Sequence, residues 1–250
     1  MSALPSAGGV WAAPLGDGPG TLYIAENGQL QYTGSCFGAG SVTVSADGEV
    51  SGTVREVATG AVFVGAVSAE FSPPVPPIIG GRFPERSCAV TGTVNPRVAL
   101  EATFTCTSSS GSTTTRRHGF VYTAQLYETP SSLVSLGGNY TMAFGPAGNM
   151  LNVNSDGEVF GMYDNGWRCT VNGRFSPIDA RFSLLRAEWT FSSCIGTVSQ
   201  GFEGTTFSGF VQRFDETLSS STIAPGSLYL LLTGTVQGRL TQVSVIYRRT

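Results

Sequence analysis

A chain of 250 residues, 41% of them apolar, is long enough to bury one large core or two of ordinary size. Only 12% of its residues are charged, its 14 basic residues are all arginine, and its net charge is −3. That balance excludes the broad basic footprint of a protein that binds nucleic acid or anionic membrane. No apolar run reaches the roughly 18 residues that a membrane-spanning helix needs. The opening residues, Met1-Ser2-Ala3-Leu4-Pro5-Ser6-Ala7-Gly8-Gly9, lack the basic and apolar regions of a signal peptide. Low charge with 33 glycines and abundant Ser and Thr suits extracellular β proteins and fibre subunits.

The Gly-rich segment 1–14 is expected to be flexible, or to add as a strand to a neighbour's sheet edge. From there the chain alternates with period two, or runs apolar for a few residues between Gly, Pro, Asn and Asp. Strands are predicted near 21–26, 29–34, 40–46, 49–56, 60–71, 87–94, 98–107 and 114–127. A second set is predicted near 138–144, 149–155, 158–163, 167–175, 181–193, 205–214, 227–233 and 240–248. The best helical candidate is Ala180 to Trp189, where Phe182, Leu185 and Trp189 share a helical face; a strand fits it as well. Asn27-Gly28, Asp47-Gly48 and Asp156-Gly157 each stand between alternating apolar runs, which predicts hairpins with type I′ turns. The Pro-rich stretch 72–81 should be a surface excursion, because proline cannot donate to a ladder. Segment 128–137 is the expected junction between a first β domain, 15–130, and a second, 131–250.

The halves share landmarks in the same order. Asp47 matches Asp156, and Cys88-Ala89-Val90-Thr91-Gly92 matches Cys169-Thr170-Val171-Asn172-Gly173. A later strand ends at Cys106 in one half and at Cys194 in the other, and Gly119-Phe120-Val121 resembles Gly209-Phe210-Val211. Cys88 and Cys106 begin and end a predicted hairpin centred beside Asn95-Pro96-Arg97, which sets them opposite each other; Cys169 and Cys194 take the matching places. Two cross-strand disulfides are expected, each contributing roughly 2–4 kcal/mol and implying an oxidising compartment. Buried thiols are the alternative, and Cys36 is left over. The fold class predicted is all-β: two related antiparallel meander barrels of about eight strands each. β-sandwiches, or one continuous sheet system, are the alternatives.

Catalytic motifs are missing. His118 is the only histidine; no Gly-x-Ser-x-Gly elbow accompanies it, and Arg116-Arg117 beside it disfavours an imidazolium. The close carboxylate pairs Asp47/Glu49 and Asp156/Glu158 flank turn glycines, where Asp serves the backbone. Asn152, Asn154, Asp156 and Glu158 alternate oxygen ligands without the Asp-x-Asp-x-Asp-Gly pattern of a calcium loop. No Cys-x-x-Cys spacing, phosphate-binding loop or dinucleotide fingerprint is present, so no cofactor or metal is expected. Asn139-Tyr140-Thr141 satisfies the N-glycosylation pattern. Trp11, Trp167, Trp189 and Tyr140 are candidate ligand-facing aromatics, with core packing the alternative use.

Gly138-Asn139-Tyr140, the run Leu151-x-Val153-x-x-Asp156-Gly157-x-Val159-x-Gly161, and Gly209-Phe210-Val211 followed by Leu228-Tyr229-Leu230 resemble the β-barrel domains of bacterial transferrin-binding-protein-B type surface lipoproteins. The resemblance implies a non-enzymatic binding role at a cell surface or in the periplasm, and transfers no functional residue. The expectation is a secreted, periplasmic or cell-surface protein that binds a protein or small ligand without catalysis. Self-assembly of a filament or matrix subunit by strand addition is the second reading. A hydrolase with carboxylates brought together from separate strands is the third.

Overall fold

The structure is a computed structural model, and it describes residues 5–13, 19–58, 78–80, 84–130, 132–143, 148–164, 168–196, 201–214 and 224–250. The chain divides into two units, residues 1–68 with 82–127, and residues 69–81 with 128–250. Each unit holds a closed antiparallel barrel of eight strands in meander order.

The first barrel runs β1 (Gly9–Ala12), β2 (Pro19–Ile24), β3 (Gln29–Gly34), β4 (Cys36–Val44) and β5 (Glu49–Ala58). It continues with β7 (Glu85–Asn95), β8 (Ala99–Ser108) and β9 (Thr113–Tyr122), and the short helix α1 (Ala124–Tyr127) follows. Pairing of Trp11 with Tyr122 and of Ala12 with Val121 closes the ring between β1 and β9. Alternate residues turn inward, as a pleated strand requires: Val50 and Val54 on β5, Val90 on β7, Leu100 and Phe104 on β8, and Phe120 on β9 form the core.

The second barrel follows α2 (Leu133–Leu136) and runs β10 (Gly138–Met142), β11 (Met150–Val153), β12 (Glu158–Asp164) and β13 (Arg168–Pro177). Then come β14 (Leu184–Ile195), β15 (Thr206–Arg213), β16 (Leu228–Val236) and β17 (Arg239–Arg249). β10 closes on β17 through Tyr140–Arg249, Thr141–Arg248 and Met142–Tyr247. Its core is aromatic: Phe191 meets Tyr163, Trp189, Phe202 and Phe207 edge-on. A further strand, β6 (Ile78–Gly80), pairs antiparallel with Val243, Gln242 and Thr241 of β17.

Several expectations change. Residues 9–12 of the N-terminal segment are not free to donate to a neighbour: they form β1, paired on both sides within its own barrel. The strand expected at 60–71, and most of the Pro-rich excursion, lie outside the described residues. The strand predicted near 181–193 is present from Leu184, and the helical alternative for Ala180–Trp189 is not taken up. Leu184–Ile195 is a strand whose alternate residues, Leu185, Ala187, Trp189 and Phe191, enter the core. The end of 114–127 is helix α1.

The Asn-Gly and Asp-Gly turns are also of a different type. Type I′ needs positive φ at both central residues, and only the glycines have it: Gly28, Gly48 and Gly157 all lie at φ 82. Gly28 N donates to Ala25 O, and Ala25 N donates to Gln29 O; the same pair of bonds recurs at 45–49 and at 154–158. That is a type I turn followed by a left-handed residue, the three-residue hairpin loop with a glycine bulge. Each such glycine also offers its carbonyl to the next strand, to Val42 N, Val94 N and Phe175 N.

These bonds show how the halves correspond. Trp11 Nε1 donates to Ala7 O, and Tyr140 OH donates to Leu136 O, each four residues back. Thr123 N donates to Val10 O, and Thr250 N donates to Asn139 O. Strand one of each barrel therefore matches strand one of the other, and Asn27-Gly28, not Asp47-Gly48, is the counterpart of Asp156-Gly157. The landmark match read from the sequence is displaced by two strands. In a meander every second turn lies at the same end, so a two-strand slip preserves parity and turn chemistry.

Candidate functional site

In the first barrel one end is closed by the segment before β1 and by α1. There Ser6 and Tyr127 both hydrogen-bond to Glu26, Tyr127 at 3.2 Å. The opposite end, where β3 meets β4 and β8 meets β9, carries the polar cluster. Glu56 is 0% exposed and is the one buried acid among the described residues. Its Oε1 accepts from Arg86 Nη2 at 2.7 Å and from Arg116 Nη2 at 2.6 Å. Its Oε2 accepts from Arg116 Nη2 at 2.6 Å and from Tyr32 OH at 2.8 Å.

The sheet register makes this possible. Glu56 sits on the inward parity of β5, directly beside Arg86 on one flank and Gly38 on the other. Tyr32 reaches Glu56 by lying across Gly38, where a Cβ would come within 2.5 Å of its ring and hydroxyl. Arg116 also approaches sulfur, with Nη1 3.6 Å from Cys36 Sγ and Nη2 3.5 Å from Cys106 Sγ.

Burial alone would raise the Glu56 carboxyl, but hydrogen bonding and attraction from Arg116, with Tyr32 and Arg86, outweigh it and hold the group below the ordinary range. Burial, and then the Glu56 charge, push the Cys36 thiol up to about 12, against the opposing pull of Arg116. Burial and then Arg116 lower His118, with Glu56 opposing. The arrangement is chemically quiet: an ionised carboxylate with both oxygens occupied, a protonated thiol and a neutral imidazole. Glu56, Cys88 and Cys106 bring three ligand-type atoms within 4.8 Å of one another. With the two sulfurs bonded to each other, neither offers a thiolate.

Both expected disulfides are formed, Cys88–Cys106 and Cys169–Cys194. Cys88 and Cys106 are direct partners across β7 and β8. Cys169 faces Cys194 through a bulge in β14, where Ser193 takes φ 52 and the register shifts. The bridges occupy different places, strands six and seven of the first barrel and strands four and five of the second. Cys36 opens the fourth strand of its barrel, and Cys169 is the second residue of the fourth strand of the other; Ala58 is the register partner of Cys36, so the lone cysteine lacks a counterpart to Cys194.

Of the aromatics singled out from the sequence, Trp11, Trp189 and Tyr140 are buried within the two cores. Trp167 lies outside the described residues. Trp189 Nε1 and Tyr247 OH have no hydrogen-bond partner among the described residues. Sequence reasoning missed the cluster of Tyr32, Cys36, Glu56, Arg86 and Arg116. The available signal was parity: Glu56 follows Val50 and Val54 on one face, a lone acid on an apolar stripe.

Fold and site together define the class: an all-β protein of two closed eight-stranded antiparallel barrels, each with one cross-strand disulfide and an interior packed by its own side chains. Comparison of the chain with protein-family models, with curated proteins and with solved structures finds no match in any of the three. Among the described residues no helix is long and apolar enough to cross a membrane.

Proposed function

We propose that this protein binds a ligand or partner on the outer surface of its barrels, without catalysis, in an oxidising compartment such as the periplasm or cell exterior. The observation that carries the reading is the saturation of Glu56. The one buried acid among the described residues is spent on Arg86, Arg116 and Tyr32, so it supports a structural plug in preference to a general base. The two disulfides support the compartment. The test is a panel of chromogenic glycoside, ester and peptide substrates incubated with the oxidised full chain. Turnover indistinguishable from blank is expected. Turnover that Glu56→Gln or His118→Ala removes would overturn the proposal.

A second reading, assembly by strand addition, is favoured by the short ladder at Thr241–Val243 of β17, which takes up an extended segment of the same chain, Ile78–Gly80; exchange of that segment between copies would link them. Proline at 79 removes a backbone N–H from that strand. Light scattering across a concentration series should find assembly that Ile79→Pro alters; a monomer at all concentrations in both proteins sinks this reading.

A further inference from the structure

The outer face of β10–β15 holds a lateral row that the fold does not require. Asn139, Asn152, Phe160, Asn172, Thr190 and Thr206 are successive register partners across β10, β11, β12, β13, β14 and β15. The next row is Thr141, Met150, Met162, Thr170 and Ser192. Phe160 is 52% exposed and Met150 50% exposed, while their strand neighbours Leu151, Val153 and Val159 are in the core. Asparagine is depleted in strands, yet three share one row around the exposed ring. Their amides are aligned: Asn152 Nδ2 donates to Asn139 Oδ1 at 2.8 Å, Asn172 Nδ2 to Ser192 Oγ at 3.2 Å, and the Thr190 and Thr206 hydroxyls lie 3.0 Å apart.

Charge bounds the band on both sides. Glu158, Arg174 and Glu188 form the row on one flank, and Asp164 pairs with Arg168 on the other. The eleven residues of the two rows on β10–β15 are uncharged; Arg248 of β17, the register partner of Thr141, stands at the β10 end of the second row.

We propose that this band is a binding face for a neutral oligosaccharide; the inference rests on the surface-binding reading above and names its ligand class. The exposed Phe160 ring offers an apolar platform to the C–H face of a pyranose. Asn152 and Asn172 flank it, separated by two strand spacings, about 10 Å, comparable with the length of a disaccharide. A carboxamide offers a donor and an acceptor side by side, the pattern that two neighbouring sugar hydroxyls complement. The absence of charge within the band matches an uncharged polyol, since a charged polymer would leave its ions unpaired there. Amides already held by hydrogen bonds lose less rotamer freedom on binding.

The test is affinity electrophoresis of the full chain through gels containing hydroxyethylcellulose, xylan, galactomannan or glycogen, with heparin and alginate gels as charged controls. The protein is made in a bacterial host, so that Asn139 stays unglycosylated. Retardation in at least one neutral gel is expected. Phe160→Ala should weaken it by roughly 30-fold, the loss of one anchoring aromatic, and Asn152→Ala with Asn172→Ala should weaken it further. Phe160→Trp should retain it, and unchanged circular dichroism shows that each variant is folded. No retardation in any neutral gel, retardation only in charged gels, or retardation indifferent to Phe160→Ala would each overturn the inference. If one of those results is accompanied by saturable binding to a defined protein through another face, the surface-binding reading stands and only the glycan assignment falls. Hydrolysis of a gel polysaccharide by the wild-type chain overturns both.

Discussion

At the scale of single residues, the balance inside the first barrel is set by Glu56. Two guanidinium groups converge on one carboxylate that is 0% exposed. Removing one partner of a buried ion pair leaves an uncompensated charge, which costs about 3–5 kcal/mol. Glu56→Gln should therefore lower the urea midpoint sharply at pH 7, because Arg86 and Arg116 lose their counter-charge. The sign of the pH dependence follows from the lowered carboxyl. Stability from this group is fully present above the ordinary carboxylate range of about 4.3. It is lost as pH falls below that range toward the folded-state value. Urea titrations at pH 7 and pH 3 should show a smaller loss in Glu56→Gln than in the wild type. An equal loss in both would mean that Glu56 does not carry the acid sensitivity.

At the scale of elements, the hairpin loops rest on a few glycines. Gly157 lies at φ 82, and a Cβ there would run into the Phe175 carbonyl oxygen, which belongs to the next strand. Gly111 lies at φ 84 in the β8–β9 connection, but nothing stands within 4 Å of its would-be Cβ. Alanine at Gly111 should cost only the backbone term, about 1–2 kcal/mol. Alanine at Gly157 should cost that and a displaced strand besides. Thermal unfolding of the two variants separates these terms; equal shifts would show that contact with β13 contributes nothing. The same loops explain how the sequence misreads the repeat. Asp47-Gly48 and Asp156-Gly157 are alike because one loop geometry serves both hairpins, although they occupy different places in their barrels.

At the scale of the molecule, each barrel depends on the pairing of its first and last strands. β1 spans four residues and β10 five, so closure rests on few bonds. In the second barrel, Ala143 N to Ile246 O and Thr250 N to Asn139 O extend the β10–β17 seam. Ending the chain at Val245 removes that seam and exposes two sheet edges. The truncated protein should lose protection from hydrogen exchange along β10 and β17, and should aggregate on concentration. Unchanged exchange in β10 would show that closure is not what orders it.

Much of this architecture was legible from residue order. Alternating parity, glycine-marked turns and the placing of Cys88 and Cys106 at the ends of one hairpin are short-range properties, carried by period-two patterning and by turns a few residues long. They sufficed for the all-β class, two meander barrels and the Cys88–Cys106 bridge; the Cys169–Cys194 bridge follows from the repeat, whose strand correspondence the structure shifts by two. What the tertiary structure alone decided is lateral. Backbone ladders form regardless of which side chains they align, so closure by Gly9–Ala12, the meeting of Tyr32, Glu56, Arg86 and Arg116, and the row joining Asn139, Asn152, Phe160 and Asn172 depend on register between strands far apart in the chain. Register is set collectively, by the fit of a whole core and the length of every connection, and no local stretch encodes it.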